Sequence, residues 1–385
     1  MSEYQYYEFL AIDRPLAAEE MAALRGLSTR AHITPVSFTN EYQWGSFRGN
    51  PDELMRRYFD SHVYVANGMT AVFMLRLPIE TIPREIVRTI AVDNVLDFAA
   101  TRTHWVITWS LDESENYDRF EMEDGRGWMA RLSPIRDELL RGDMRSLYIG
   151  WLAAVSGEMV DADGLEPLPG EGIGNLTAAQ QALAQFLEVD GDLLAGAGID
   201  SPAQQADEPS QQERDEWLSV LPHDEVLALL KQLLEGQGLK AERTLKSQFS
   251  AWRRSLRGDS GQAFPRRSVE ELRKKTETAR NSRLERETLE QKRLNAKYRK
   301  ERETYLATLA KDFPKAWKAA ARQIERGSGL AYDEACRTLV DIAAAYALHA
   351  SRNVFNQELK RFMAVHLRRK ALVQRLVKAG IWYEK

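Results

Sequence analysis

The chain has 385 residues, of which 44% are hydrophobic and 29% are charged, and its formal net charge is −4. This length allows two or three domains, and the hydrophobic content is that of an ordinary globular protein. The single cysteine, Cys336, excludes an intramolecular disulfide and a cysteine-based zinc site, so we expect a cytoplasmic protein.

Neither a targeting segment nor a membrane segment is expected. The first residues place Glu3 and Glu8 among tyrosines, which is not the pattern of a signal peptide. The longest apolar run, near Met69–Leu77, is too short to cross a bilayer. We therefore expect no membrane among the partners of this protein.

Charge is distributed unevenly along the chain. Residues 1–239 contain 18 Lys or Arg against 40 Asp or Glu, whereas residues 240–385 contain 35 against 17. The basic part can attract the acidic part, or it can bind a polyanion. The sequence therefore predicts an electrically polarised molecule.

Residues 1–160 predict a mixed α/β head domain. Segments rich in aromatic and β-branched residues, which are typical of strands, alternate there with short amphipathic helical patterns. Trp105, Ile107 and Trp109 alternate with other residues, and this spacing predicts a strand with one apolar face.

Two dipeptides in this domain predict β-hairpins. Asn67-Gly68 is typical of a two-residue hairpin turn, and apolar segments flank it. Asp124-Gly125 predicts a second hairpin between residues 117–123 and 127–132. We therefore expect each pair of flanking segments to form neighbouring antiparallel strands.

Residues 161–213 predict an acidic linker that contains a short helical pair. Gly170, Gly172 and Gly174 precede the first helix, and glycine loops in this position can hold a phosphate at a helix N-terminus. No predicted strand precedes these glycines, and no lysine follows them at the required spacing. A flexible linker that ends in a Thr177 helix cap is therefore the better interpretation.

From residue 214 onward every segment predicts a helix. Residues 214–262 form a helical subdomain with a leucine stripe, residues 263–312 form one long charged helix, and residues 313–385 form a helical bundle. Within 266–300 there are 13 Lys or Arg and 6 Glu but no Gly or Pro, which favours a solvated helix. The predicted fold class is α+β, with a mixed α/β domain followed by an all-α region.

Three segments of the carboxyl-terminal part together resemble the helical tail of bacterial SWIM zinc-finger proteins. They are Asp215–Gly236, Leu330–Ala343 and His366–Ile381. A SWIM finger binds zinc through closely spaced cysteines and a histidine, and this chain has one cysteine, so the zinc-binding role does not carry over. The resemblance implies a shared scaffold or a partner-docking module. We expect neither a metal nor another cofactor.

The strongest functional signal is a basic cluster that begins before the charged helix. Lysine and arginine in series can neutralise consecutive phosphates and release counterions, which makes binding to nucleic acid strongly salt-dependent. Glutamates such as Glu270 and Glu271 interrupt the cluster and weaken its field. The candidate nucleic-acid-binding residues are Arg253, Arg254, Arg257, Arg266, Arg267, Arg273, Lys274 and Lys275.

A second candidate site is a group of aromatic residues around a glycine-bounded loop of the head domain. Tyrosine and tryptophan in such loops can form a recognition surface for a partner. Aromatic residues at this density also fill the core of a small domain, and this alternative is favoured. The candidate partner-binding residues are Tyr42, Trp44, Phe47 and Tyr58.

The histidines show no helical spacing typical of a metal pair. His62 and His104 both lie in predicted strands, where they could approach each other and a carboxylate, because catalytic groups are assembled in space rather than in sequence. An interior histidine held by a hydrogen bond is the favoured alternative for each of them.

Three functions remain open. The first is a cytoplasmic, non-catalytic adaptor that docks a protein partner, including a component of nucleic-acid machinery. The second is direct binding of nucleic acid by residues 253–302. The third is an enzyme with a site in the amino-terminal domain, around His62 and His104. The sequence favours the adaptor.

Overall fold

The computed structural model describes residues 4–45, 47–67, 70–112, 114, 124–201, 210–257 and 266–383. They confirm the predicted α+β fold, in which an antiparallel sheet with helices precedes a helical region that contains one long helix. The chain forms two compact units, Met1–Ser282 and Arg283–Lys385. The first unit therefore extends well beyond the head domain expected at residues 1–160.

A seven-stranded sheet is the centre of the first unit. Its strands are β1 (Gln5–Leu10), β2 (His32–Thr34), β3 (Ser37–Tyr42), β4 (Ser61–Ala66), β5 (Thr70–Pro78), β6 (Leu96–Ala100) and β7 (His104–Leu111). Their order in space is β2-β3-β1-β4-β5-β7-β6, and every neighbouring pair is antiparallel.

The helices of the first unit surround this sheet and then extend beyond it. They are α1 (Ala18–Leu27), α2 (Pro51–Arg57), α3 (Arg84–Ile90), α4 (Trp128–Leu132), α5 (Pro134–Leu140), α6 (Arg145–Ser156), α7 (Ala178–Phe186), α8 (Gly191–Gly198), α9 (Gln211–Val220), α10 (His223–Leu234) and α11 (Gly238–Arg257). The long helix, α12 (Val269–Ala310), begins in the first unit and continues into the second.

One predicted hairpin is confirmed and the other is wrong. Strands β4 and β5 pair up to Ala66 and Thr70, on either side of the predicted turn, whose Gly68 lies outside the described residues. Residues 127–132 do not form a strand, because the buried Trp128, Met129 and Leu132 have helical spacing and lie in α4. The other expected arm, 117–123, lies outside the described residues.

The sheet buries both of its faces. On one face, residues such as Phe73, Ile107 and Trp109 pack against α4 to α8, which confirms the predicted alternation in β7. On the opposite face, residues such as Phe9 and Phe38 form a second core with α1 and α2. Strands buried on both sides leave little sheet surface for a ligand.

Residues 161–198 contribute to the larger of these two cores. Leu183 and Phe186 of α7 are buried there, together with Val269 and Leu272 from the start of α12. Thr177 caps α7 as predicted, because its side chain accepts a hydrogen bond from the backbone N–H of Gln180 at 3.2 Å. The segment expected to be a linker is therefore packed against the sheet domain over much of its length.

Helix α12 is a continuous helix of 42 residues, about 63 Å long. Pairs one turn apart, such as Lys274 with Glu270 and Lys297 with Glu301, lie along it. The predicted boundaries of 263–312 enclose it.

The second unit is a helical bundle around its own core. After the carboxyl-terminal part of α12 it contains α13 (Phe313–Glu325), α14 (Gly329–His349), α15 (Arg352–His366) and α16 (Lys370–Lys378). Leu339 and Ile342 of α14 pack against Phe355 and Leu359 of α15 and against Leu376 of α16. Their spacing is that of one apolar stripe on each helix.

Candidate functional site

The aromatic candidates belong mainly to the interior. Tyr42, Phe47 and Tyr58 are partly buried against the core that α1 and α2 share with the sheet. Tyr7, which lies in that core, has its ring 5.0 Å from the ring of Phe47. Trp44 is 71% exposed. The structure therefore favours the core interpretation for three of these residues and leaves Trp44 alone as a surface aromatic of this group.

The two strand histidines do not form one site. His62 pairs with Met74, and Met74 pairs with Thr108, which lies four residues from His104. Two strand spacings and four residues correspond to about 16 Å. The catalytic arrangement considered for this pair is therefore not formed.

His62 has the geometry of a core histidine. It is 1% exposed, its ring lies 3.8 Å from the ring of Phe9, and its Nδ1 donates a hydrogen bond of 3.0 Å to the carbonyl oxygen of Glu8. Burial lowers the pKa of His62 to about 3, and the hydrogen bond to Glu8 opposes that change. The side chain is therefore neutral and structural at ordinary pH.

A buried ion cluster that the sequence did not predict lies at one end of the sheet. Asp60 accepts hydrogen bonds from Arg76 and from the backbone N–H groups of Ile12 and Asp13. Arg136 donates to the carboxylate of Asp13 at 2.8 Å. Burial alone would raise the pKa of Asp60, but the charges of Arg76 and Arg136 outweigh it and lower that pKa. Two arginines balance two aspartates, so the cluster fixes the ends of the strands.

Among the basic candidates, Arg267 has a side chain that is bound by other residues inside the first unit. Its Nε and Nη2 donate to the two carboxylate oxygens of Glu166 at 2.8 Å and 2.7 Å, and Tyr148 donates to the same carboxylate. Its guanidinium also donates to the carbonyl oxygens of Ala197 and Ile199. The Glu166 side chain is 3% exposed, so this contact is an interior ion pair.

The protonation states of this group follow from its burial and its charges. Burial, and then the negative charge of Glu166, raise the pKa of Tyr148 well above its usual range. Burial alone would lower the pKa of Arg267, but the hydrogen bonds and the charge of Glu166 raise it. Arg267 is therefore a fixed structural cation whose guanidinium already contacts Glu166, Ala197 and Ile199, and its binding to nucleic acid stays a prediction.

Other candidates of the basic cluster are also paired. Arg253 lies 3.4 Å from the carboxylate of Glu213, Lys274 lies 2.9 Å from that of Glu270, and Lys275 lies 2.9 Å from that of Asp200. Arg266 and Arg273 are exposed. Arg254 and Arg257 belong to α11, and their side chains lie outside the described residues. Four of the six candidates whose side chains are described are paired with carboxylates, so these six do not form one free cationic surface.

The most distinctive surface that sequence reasoning missed lies on α9 and α10. The sequence indicated a leucine stripe in this region, and in α10 only Leu229 has a buried side chain. We define the leucine face as six exposed residues with exposed fractions from 40% to 88%. They are Leu218, Val220, Leu227, Leu230, Leu233 and Leu234.

A signal for this surface was present in the sequence. An amphipathic helix that packs on one side needs a single apolar stripe, but α10 carries leucine at 227, 229, 230, 233 and 234. Successive residues are 100° apart on a helix, so these leucines cover one arc of about 160°, which is wider than the stripe of about 100° that packing on one side needs. Helix α11 packs beside α10, and Leu229 is buried. The other four leucines of α10 remain exposed.

Two further findings concern metals and membranes. In the described part of the chain, no group of three His, Cys, Asp or Glu side chains is arranged to hold a metal ion. None of the helices described in the ranges above has both the length and the apolar composition that crossing a bilayer requires.

Comparison with known proteins gave no match to a family model, to a curated protein or to a solved structure. The functional argument therefore depends on the surfaces of this chain.

Proposed function

We propose that this protein is a non-catalytic adaptor that docks a protein partner through the leucine face of α9 and α10. The observation that supports this proposal is the exposure of several leucines on one short helix, among which Leu230 is 50% and Leu234 is 88% exposed. Complete burial of one leucine side chain contributes about 1.5–3 kcal/mol. Contiguous apolar surface of this kind is typical of an interaction site.

The charges around the leucine face define the chemistry of the partner. Asp215 and Glu216 lie on α9, Asp224 and Glu225 begin α10, and Glu235 follows it. These carboxylates favour a partner whose apolar residues are flanked by lysine or arginine, because complementary charges steer association and fix register. A basic amphipathic helix of the partner, with its apolar side on the leucines, satisfies both requirements.

The test compares two charge-introducing variants of the full chain. Leu230→Glu/Leu234→Glu places two carboxylates in the leucine face, and Leu284→Glu/Leu289→Glu makes the same change at exposed leucines of α12. Binding to a synthetic basic Leu/Lys amphipathic helix is measured by fluorescence anisotropy. We expect at least a tenfold loss of affinity for the first variant and less than a twofold change for the second.

A peptide in which glutamate replaces every lysine is the charge control, and we expect it to bind at least tenfold more weakly than the basic peptide. Equal losses in both variants, or equal binding of both peptides, would contradict the proposal. Analytical ultracentrifugation separates one further outcome. A wild-type dimer that only Leu230→Glu/Leu234→Glu dissociates would show that a second copy, and not another protein, covers this face.

A further inference from the structure

A second surface, independent of the leucine face, lies at the carboxyl-terminal end of the second unit. Residues 352–378, which form α15, the following turn and α16, contain eight Lys or Arg and one Glu. Residues 283–305 of α12 contain the same number of Lys or Arg but five Glu. The α15–α16 segment is therefore the more strongly cationic of the two, although the sequence hypothesis placed nucleic-acid binding at residues 253–302.

Most of these cations have no carboxylate partner in the part of the chain that the structure describes. Arg361 pairs with Glu358, Arg375 pairs with Asp333, and Arg369 donates to the carbonyl oxygen of Ile324. Five others are exposed and form no ion pair with any residue that the structure describes. They are Arg352, Lys360, Arg368, Lys370 and Lys378.

The exposed side of α15 is polar at its centre. Phe355, Leu359 and Met363 are buried in the bundle core. The residues about 180° away on the same helix are Gln357, Arg361 and Ala364, and Arg368 lies in the turn that follows His366. Amide and guanidinium groups therefore occupy the outward side, and the apolar side is already packed.

Helix α16 continues the same arrangement beyond the turn. Leu372, Val373 and Leu376 face the core, whereas Lys370, Gln374 and Lys378 recur every four residues on the outward side. Lys360 lies eight residues before Arg368, and Lys378 lies eight residues after Lys370. These four cations therefore lie within about 12 Å of helix on each side of the turn.

We propose that the outward side of α15 and α16 binds the phosphate backbone of a nucleic acid. Cations without carboxylate partners and neighbouring amide donors are the groups that contact phosphates and sugars. A membrane is disfavoured because an interfacial helix needs a free apolar side, and that side of α15 is buried in the bundle. A protein partner is disfavoured because lysine is depleted in protein interfaces, whereas this surface exposes Lys360, Lys370 and Lys378.

The test uses the full chain with a labelled DNA duplex and a labelled single-stranded RNA, both of mixed sequence, across a salt series. Five neutralised phosphates give a slope of log K against log salt of about −4 to −5 on duplex DNA. Arg368→Glu/Lys370→Glu removes two cations, so we expect at least a tenfold loss of affinity and a slope smaller by about 2. The DNA and RNA arms show which nucleic acid is preferred.

Two control variants make the experiment decisive. Arg84→Glu/Arg88→Glu makes the same charge change at exposed positions of α3, and we expect less than a twofold effect. Arg266→Glu/Arg273→Glu tests the exposed cations of the earlier candidate cluster, and a larger loss in this variant than in Arg368→Glu/Lys370→Glu would overturn the proposal.

Folding and the competing ligand are tested separately. A second variant, Lys360→Glu/Arg361→Glu, must reproduce the loss while circular dichroism stays unchanged, which excludes misfolding as its cause. Wild-type protein that binds neither probe would contradict the proposal. Tighter binding to phosphatidylserine vesicles than to either nucleic acid would also overturn it.

Discussion

Two parts of the charged run differ in structure although their sequences are similar. We call residues 266–280 the root segment and residues 283–300 the middle segment. In the root segment, Arg267 holds the buried Glu166, and Leu272 is fully buried. In the middle segment, Arg283 pairs with Glu287 of the same helix, and Leu289 is 53% exposed.

The difference shows that the position of a basic residue decides whether its charge is available. Arg267 is held by an acidic partner in the interior, and its charge stabilises the fold. A pair one turn apart on an exposed helix contributes only a few tenths of a kcal/mol and exchanges readily with water and salt. Composition therefore cannot separate structural cations from functional ones. Four predictions test this contrast through the free energy of unfolding, in decreasing order of expected effect.

The largest effect is expected for Glu166→Gln. This change leaves the partly buried Arg267 without its counter-charge, and breaking a buried ion pair costs about 3–5 kcal/mol. Urea unfolding followed by tryptophan fluorescence measures the loss, because seven of the nine tryptophans lie in the first unit. The control Glu270→Gln, which breaks the exposed pair with Lys274, should leave the free energy of unfolding nearly unchanged. Similar losses for both variants would contradict the contrast.

The second prediction compares two leucines of α12. Leu272→Ala removes a side chain that is 0% exposed and should cost about 2–4 kcal/mol, since it leaves a cavity in the core of the first unit. Leu289→Ala should change the free energy of unfolding by less than about 0.5 kcal/mol, because the side chain is already exposed. Thermal unfolding of both variants provides the measurement. A large loss for Leu289→Ala would show that this residue is buried in solution.

The third prediction concerns the approach of α8 to the root segment. A Cβ atom added at Gly196 would lie 2.6 Å from the backbone nitrogen of Thr276, so Gly196→Ala must push the two helices apart. Overpacking of this kind costs about 1–3 kcal/mol. At Gly191, in the same helix, a Cβ meets no atom within 4 Å, and Gly191→Ala should be neutral or slightly stabilising. Equal stability of the two variants in urea would refute the close approach.

The smallest effect is expected for Lys297→Ala. Its ammonium group lies 4.0 Å from Glu301, and both side chains are largely exposed, so the loss should stay below about 0.5 kcal/mol. Differential scanning calorimetry of the full chain in low and high salt is the measurement. A loss of stability above about 1 kcal/mol at both salt concentrations would show that this residue lies in a packed environment.

Local sequence was sufficient where a short signal decides the structure by itself. The pairing of the strands that flank Asn67-Gly68, the Thr177 cap and the alternation of Trp105 and Trp109 were all confirmed. The Asp124-Gly125 turn signal failed, because helical packing of the buried residues that follow it was stronger than the hairpin preference.

The candidate sites could be predicted only in part. Trp44 was named from sequence and is exposed, but its neighbours Tyr42 and Phe47 are packed, which depends on contacts distant in sequence. The leucines of α10 were recognised as a stripe, yet the number of them that find partners depends on how many helices reach α10. A local pattern does not encode the packing of Tyr42 and Phe47, and it encodes the exposure of the α10 leucines only through the width of their arc.

The sequence alone determined the fold class, the continuous charged helix and the uneven distribution of charge, because these depend on composition and on the periodicity of neighbouring residues. Only the tertiary structure decided that Arg267 is held by Glu166 and that Arg368 and Lys370 have no carboxylate partner among the described residues. An ion pair forms between side chains 101 residues apart, and burial of the carboxylate makes it strong. The availability of a charge is therefore a property of the packed molecule.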